Sequence, residues 1–371
     1  MIIGFILFRP FLGSYLLLRL GEIIVFSLAS LQISLSARRI RIAISFLLLP
    51  ALIFLLALLS LLFSKFDQKA EDYFDAIRVF FPVLLFLFGW SLKPPSSGDR
   101  LKKFLYVILS IQAFLVLIQE IDLFGARFDL IFNVHELSDW DRSAGSFSNH
   151  LEPGWLIISI LCLSYIYPNI KVNYLLFMSI VIFAFTASKA TMLVGLLAIF
   201  LNFSASGKLS SKVYGYFIVT VIGAILIYYT PYFSNTIYRL FEGAAADDPS
   251  TRLRWLDIHF VYSQLVGGNN ILIGFGKSSG AGDFSYMGTS LTMWIFRYGL
   301  IACLLYYGHV YLLIRKALPR RSHALKIFIL VLFFNSISNA DEALKGLTLF
   351  YFLLGYSALR TKNVKSFISN N

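Results

Sequence analysis

The chain reads as long apolar runs separated by polar connectors. Apolar stretches fall near residues 2 to 19, 21 to 36, 42 to 63, 76 to 92, 104 to 121, 152 to 167, 172 to 187, 190 to 203, 213 to 230, 288 to 314, 325 to 338 and 344 to 359. A bilayer core about 30 Å thick takes roughly 20 helical residues per crossing, so the pattern predicts about twelve transmembrane helices. The fold class it implies is all-α, a polytopic membrane helix bundle with residues 1–371 as a single membrane domain. The count falls to about eleven if residues 1 to 20 only dip into the bilayer. Arg9-Pro10 would put a costly charge and a helix-breaking proline in the middle of that run. No cleavable signal peptide is expected there.

Two connectors are long: an outer loop at 122–151 and another at 231–287. Their side of the membrane follows from charge, because Lys and Arg accumulate in cytoplasmic connectors. One alternate set of connectors carries Arg38, Arg39, Arg41, Lys102, Lys103, Lys208, Lys212, Arg315, Lys316, Arg320 and Arg321, with Asp99 as its one acid. That set is expected in the cytoplasm, along with the segment from Arg360, which leaves both long loops outside. The composition agrees: 58% of residues are hydrophobic and only 14% charged, against roughly a quarter charged in soluble domains. The net charge of +12 is thereby a topology signal, and no clustered basic face points to nucleic acid. Cys162 and Cys303 lie inside predicted spans with no cysteine in either outer loop, which excludes a disulfide framework and a thiolate metal site. The lack of a visible internal repeat argues against an ordinary secondary transporter.

The candidate chemistry sits in the outer loops. Segment 248–268, "DPSTRLRWLDIHFVYSQLVGG", predicts an amphipathic helix near 249–266. Asp248 is its N-cap, Pro249 its first helical position, and Gly267-Gly268 its stop. Leu253, Leu256 and Phe260 form one stripe, expected to pack on the membrane domain. Arg252 lies in the first turn, where free N–H groups and the macrodipole already attract anions. It shares a side with Trp255 and His259. Arg254 has Asp257 three residues on, so a surface ion pair competes with ligand binding for it. Arg142 and Lys189 are further outward cations. Arg78 and Arg297 fall within predicted spans, where a lone arginine is a functional-site hypothesis by default.

The remaining polar stretch is "DWDRSAGSFSNHLEPG", residues 139–154. Asp139-x-Asp141 has the spacing of a two-carboxylate metal site, but such spacings are common in acidic loops. His150 is a candidate base or an interface histidine. Glu152-Pro153 opens the next span, with proline in the first turn placing Glu152 at the cap, facing the outer vestibule. The dipole there favours the carboxylate, which can accept a proton. A helix cap alone is the competing reading of Glu152.

These residues carry a resemblance. "DRSAGSFSNHLEPGWL" resembles the loop of bacterial Wzy-type polysaccharide polymerases, an Arg followed by Gly-x-Phe and then Glu-Pro at the head of a span. "TASKAT" stands where the wider O-antigen polymerase and ligase superfamily commonly has Ser-Arg. "TRLRWLDIHFVYSQLVGGNNILIGFGKSSG" is similar to its arginine-rich helix followed by a Leu/Ile-x-Gly-x-Gly turn, and "SLTMWIFRYGLIACLLYY" to the span after it. The resemblance covers roughly 139 to 308; earlier residues contribute only hydropathy. Ser188-Lys189 keeps the charge of the family's Ser-Arg but loses bidentate phosphate geometry. The histidine that ligases carry before the late span is missing from "SYMGTSLTMW", which favours polymerase over ligase.

The resemblance implies a membrane glycosyltransferase similar to the GT-C type, in the bacterial inner membrane with its active site toward the periplasm. It would extend a glycan on undecaprenyl pyrophosphate by lipid-linked repeat units, without metal or cofactor, with a chain-length regulator protein as a candidate partner. Cations are needed for the departing pyrophosphate, and a base for the acceptor hydroxyl. Glu152, backed by His150, is the expected base. Arg142, Lys189, Arg252, Arg254, Trp255, His259, Arg78 and Arg297 are the expected pyrophosphate and glycan contacts. The alternatives are an O-antigen ligase, which differs in acceptor, and a lipid-linked oligosaccharide flippase, which would place more cations along the span interiors.

Overall fold

The computed structural model describes residues 40–63, 76–92, 98–121, 152–167, 189–203, 271–276, 289–339 and 347–358, with scattered helical positions that include 256, 258–260, 262 and 263. Of these, 91% are helical and none is in a strand, in agreement with an all-α bundle. The helices are α1 (Ile40–Leu62), α2 (Phe81–Ser91, entered through a 3-10 turn at Arg78–Phe80), α3 (Gly98–Ile121), α4 (Glu152–Ile166), α5 (Lys189–Phe203), α6 (Ser290–Ala317) and α7 (Arg321–Ile337). α8 is Leu347–Ala358. Each falls on a predicted apolar run. α3 starts earlier than its run because helix continues back through the basic connector, over Arg100, Lys102 and Lys103. One described helix, α6, is long and apolar enough to cross a membrane, and five shorter apolar helices accompany it. The loop 122–151 lies outside the described residues, as does most of the runs near 2 to 19, 21 to 36, 172 to 187 and 213 to 230.

The chain divides into two compact units. The first comprises 1–25, 95–244 and 343–350, and in it α4 packs on α5. α4 is apolar on every side, and Trp155, Leu156, Ile157, Ile158, Ile160 and Leu161 are all buried, as expected of a helix with no polar face. Its Trp155 ring lies 5.3 Å from that of Phe350. Ser159 does not disturb this core because its hydroxyl donates to the carbonyl of Trp155 one turn back.

The second unit comprises 26–94, 245–342 and 351–371, with α6 packed on α1, α2 and α7. α1 is two-faced in an unusual sense. Leu48, Leu52, Leu55, Leu59 and Leu62 recur at helical spacing and are exposed, while Ile53, Ala57, Ser60 and Leu61 are buried. α2 meets residues 352–356 of α8 backbone to backbone. A Cβ at Gly89 would strike the carbonyl of Phe352, and one at Gly355 the carbonyl of Phe86. The small-residue contact allows Phe88 and Phe352 to close over it, 5.6 Å between ring centroids.

Of the segment expected to be helical near 249–266, residues 256, 258–260, 262 and 263 are described and are helical. Its expected stripe needs correction. Phe260 is half-buried and lies 5.3 Å from the ring of Phe296 on α6, but Leu256 is 45% exposed. Among the described residues Phe260 makes an aromatic contact to α6, and the exposed Leu256 does not complete a packed stripe. Leu253 lies outside the described residues.

Candidate functional site

α6 begins on a built cap. The Thr289 hydroxyl accepts from the Thr292 N–H at 3.2 Å, and the Ser290 N–H donates to the Ser338 carbonyl at the end of α7, 3.0 Å away. The predicted span then departs from a single rod. Gly299 takes φ 85°, ψ 167° inside α6, so residues 290–298 and 300–317 are two helical segments meeting at a break. On a straight helix Trp294 and Tyr306 would be separated by about 18 Å of rise. Their rings instead stack at 3.9 Å, because the segments bend toward each other about Gly299.

A break of this kind strands backbone groups. The carbonyls of Phe296 and Arg297 lose the N–H groups of Leu300 and Ile301 that an intact helix would supply. Burying them unpaired would cost of the order of 1–3 kcal/mol each. Loop 271–276, "ILIGFG", replaces the missing turn. Phe275 N–H donates to Phe296 at 2.8 Å and Gly276 N–H to Arg297 at 2.9 Å, while Leu300 and Ile301 donate to the carbonyls of Ile271 (2.9 Å) and Leu272 (3.3 Å). Four backbone bonds thus join the loop to the two sides of the break. The approach requires glycine: Gly274 and Gly276 have φ 89° and 70°, and a Cβ on Gly274 would strike the backbone at Gly299. The Leu-x-Gly-x-Gly turn, Leu272 to Gly276, and the Gly299-Leu300 step of the next span, separate motifs in the sequence, are two halves of one clasp.

The clasp surrounds Arg297, which is half-buried. The rings of Phe275 and Phe260 stand 5.1 Å and 5.3 Å from that of Phe296, its neighbour in sequence. Arg78, the other expected intramembrane cation, opens the 3-10 turn and is also half-buried; Phe80 two residues on lies 5.5 Å from Phe54 of α1. α1 packs both on this turn and on α6, so a single helix supports the backbone of both arginines. His259 is exposed, next to the Phe260 anchor. Glu152 and Lys189 are the first residues of α4 and α5, the two helices that pack together in the first unit. Arg142, His150, Arg252, Arg254 and Trp255 lie outside the described residues, as do Asp139 and Asp141. Among the described residues no cluster of three His, Cys, Asp or Glu side chains is placed to hold a metal ion.

Ser60, Phe275 and Phe296 were not singled out by sequence reasoning. The glycines of the clasp did carry a signal in their turn spacing. Ser60 carried none, since one serine in an apolar run is unremarkable. No protein-family profile, no curated protein and no solved structure matches this chain.

Proposed function

We propose that this protein is a multi-pass enzyme of the bacterial inner membrane that polymerises undecaprenyl-pyrophosphate-linked repeat units into O-antigen or a related surface polysaccharide on the outer side. The observation that carries the reading is Arg297, a half-buried cation at a stitched break in an apolar helix. A charge in a span is costly and is retained where it meets substrate, and non-helical backbone at membrane depth occurs where it lines a cavity or is buried in protein. The exposed leucines of α1 support the membrane setting, since lipid is the solvent that accepts such a row while Ser60, Gln112, His309 and Asn335 stay inside.

In this reading the acceptor hydroxyl attacks the anomeric carbon of the donor glycan. The bond from that carbon to the pyrophosphate oxygen breaks, and the electron pair leaves with the pyrophosphate. Arg297 and Arg78, with Arg252, Arg254 and Arg142 from the loops and Lys189 from the start of α5, neutralise the growing charge. Glu152 receives the hydroxyl proton. By the charge partition the N-termini of α4 and α5 both lie at the outer end, so Glu152 and Lys189 start there on two helices that pack together.

The test is the glycan ladder of a strain lacking this protein. A single repeat on carrier or core is the expected result. Accumulation of long carrier-linked polymer would instead identify a ligase, and an unchanged ladder would sink both readings.

A further inference from the structure

We propose that Ser60 on α1 is a positioning residue for Arg297, holding its backbone so that the guanidinium meets the pyrophosphate with little reorganisation. The inference rests on the reading of Arg297 as a pyrophosphate contact. A serine inside an apolar helix ordinarily returns its hydroxyl to a carbonyl one turn back. Ser91, Ser159, Ser164, Ser179, Ser336 and Ser338 all do so, to Phe88, Trp155, Leu161, Leu175, Phe333 and Phe334. Ser60 does not. Its hydroxyl crosses to α6 and donates to the Arg297 carbonyl at 2.6 Å, joining residues 237 apart in the chain.

That carbonyl already accepts from Gly276 at 2.9 Å, so a second donor is not required merely to satisfy it. Together they use both of its lone pairs. Ser60 is fully buried, on the side of α1 away from the exposed leucines, so its hydroxyl faces α6 and not the exposed row. Three elements therefore converge on one backbone oxygen: α1 through Ser60, the loop through Gly276, and α6 itself through its break at Gly299. A hinge tied this way restricts the Arg297 Cα, and a cation fixed before its ligand arrives loses less on binding than a mobile one.

The full-length protein, purified in detergent, is titrated with inorganic pyrophosphate, with sulfate as a control for general anion binding, and dissociation constants are read from thermal stabilisation. Ser60→Ala should weaken pyrophosphate binding roughly three- to tenfold, the scale of one net hydrogen bond, with its ligand-free melting temperature kept near the parent's. Arg297→Gln should weaken it further. In the Arg297→Gln background, Ser60→Ala should add nothing, because its effect passes through the guanidinium. Ser60→Cys, with similar volume and a weaker donor, should fall between Ser and Ala.

Parental affinity in Ser60→Ala together with a loss in Arg297→Gln would overturn the positioning role and leave the arginine's role standing. Equal losses from Ser60→Ala in both backgrounds would show a general structural effect and overturn it too. Parental affinity in Arg297→Gln would remove Arg297 from the site and this proposal with it. Polymerase activity is judged separately, by the glycan ladder.

Discussion

Glu152 and Arg252 have distinct expected roles, and their variants should separate them. Glu152 opens α4 immediately before Pro153, and in the proposed mechanism its carboxylate takes the acceptor's proton. Glu152→Gln keeps size and most hydrogen bonding but cannot take a proton. It should abolish extension of purified lipid-linked repeats while donor binding survives. Arg252→Ala should lower turnover by roughly two to three orders of magnitude, the scale of losing one oxyanion-type donor, because leaving-group charge grows along the reaction. Lys at 252 should rescue in part, restoring charge without the planar fork. Protein level is the control for both, since a lost cap costs about 1 kcal/mol. Extension at the parental rate by Glu152→Gln would reduce the carboxylate to a helix cap and make His150 the next base to test.

Glycines show how elements acquire roles that composition does not reveal. Gly89 and Gly308 both sit inside apolar helices, but a Cβ at Gly89 would strike the backbone of Phe352, whereas nothing lies within 4 Å of one at Gly308. Gly89→Ala should therefore destabilise, because two helix backbones must separate to admit a methyl group, at a cost of about 1–3 kcal/mol typical of overpacking. Gly308→Ala should be neutral or stabilising by up to about 1 kcal/mol, from helix propensity alone. Thermal unfolding of the two variants side by side checks this pair. Equal melting temperatures would mean that α2 and α8 do not meet at their backbones. Gly299 belongs to a third class. Its φ of 85° excludes a side chain without strain, and the break it permits bends α6 about the loop 271–276.

For the whole molecule, the charge partition predicts that both long loops are outside and that the segment from Arg360 is cytoplasmic. A cysteine replacing Ser279 should react with an impermeant thiol reagent in intact spheroplasts. Cys162 and Cys303 are both buried, so background labelling should be low. Reaction only after lysis would invert the topology and remove the proposed site from the periplasm. The break in α6 bears on the same question. Residues 300–317 by themselves span about 27 Å at 1.5 Å per residue, short of a core about 30 Å thick, so in the proposed reading the break and Arg297 lie within the outer part of the membrane.

The apolar runs were enough to place helices α1 to α8, because the length and composition of a run decide whether it can stay helical away from water. Charge asymmetry likewise yields an orientation without coordinates, since it reflects connectors rather than contacts. Arg78 and Arg297 were legible as candidates for a similar reason: a cation in an apolar run stands out on any reading. Their surroundings were not. That Ser60 reaches Arg297, that Gly274 lies against Gly299, and that one predicted span is two helical segments all depend on residues far apart in sequence whose backbone groups pair across space. Local pattern contains no information about which distant donor will meet an orphaned carbonyl. Leu256 makes the same point from the other side, exposed although its spacing matched a packed stripe, because burial is set by what lies opposite a face and not by the face alone.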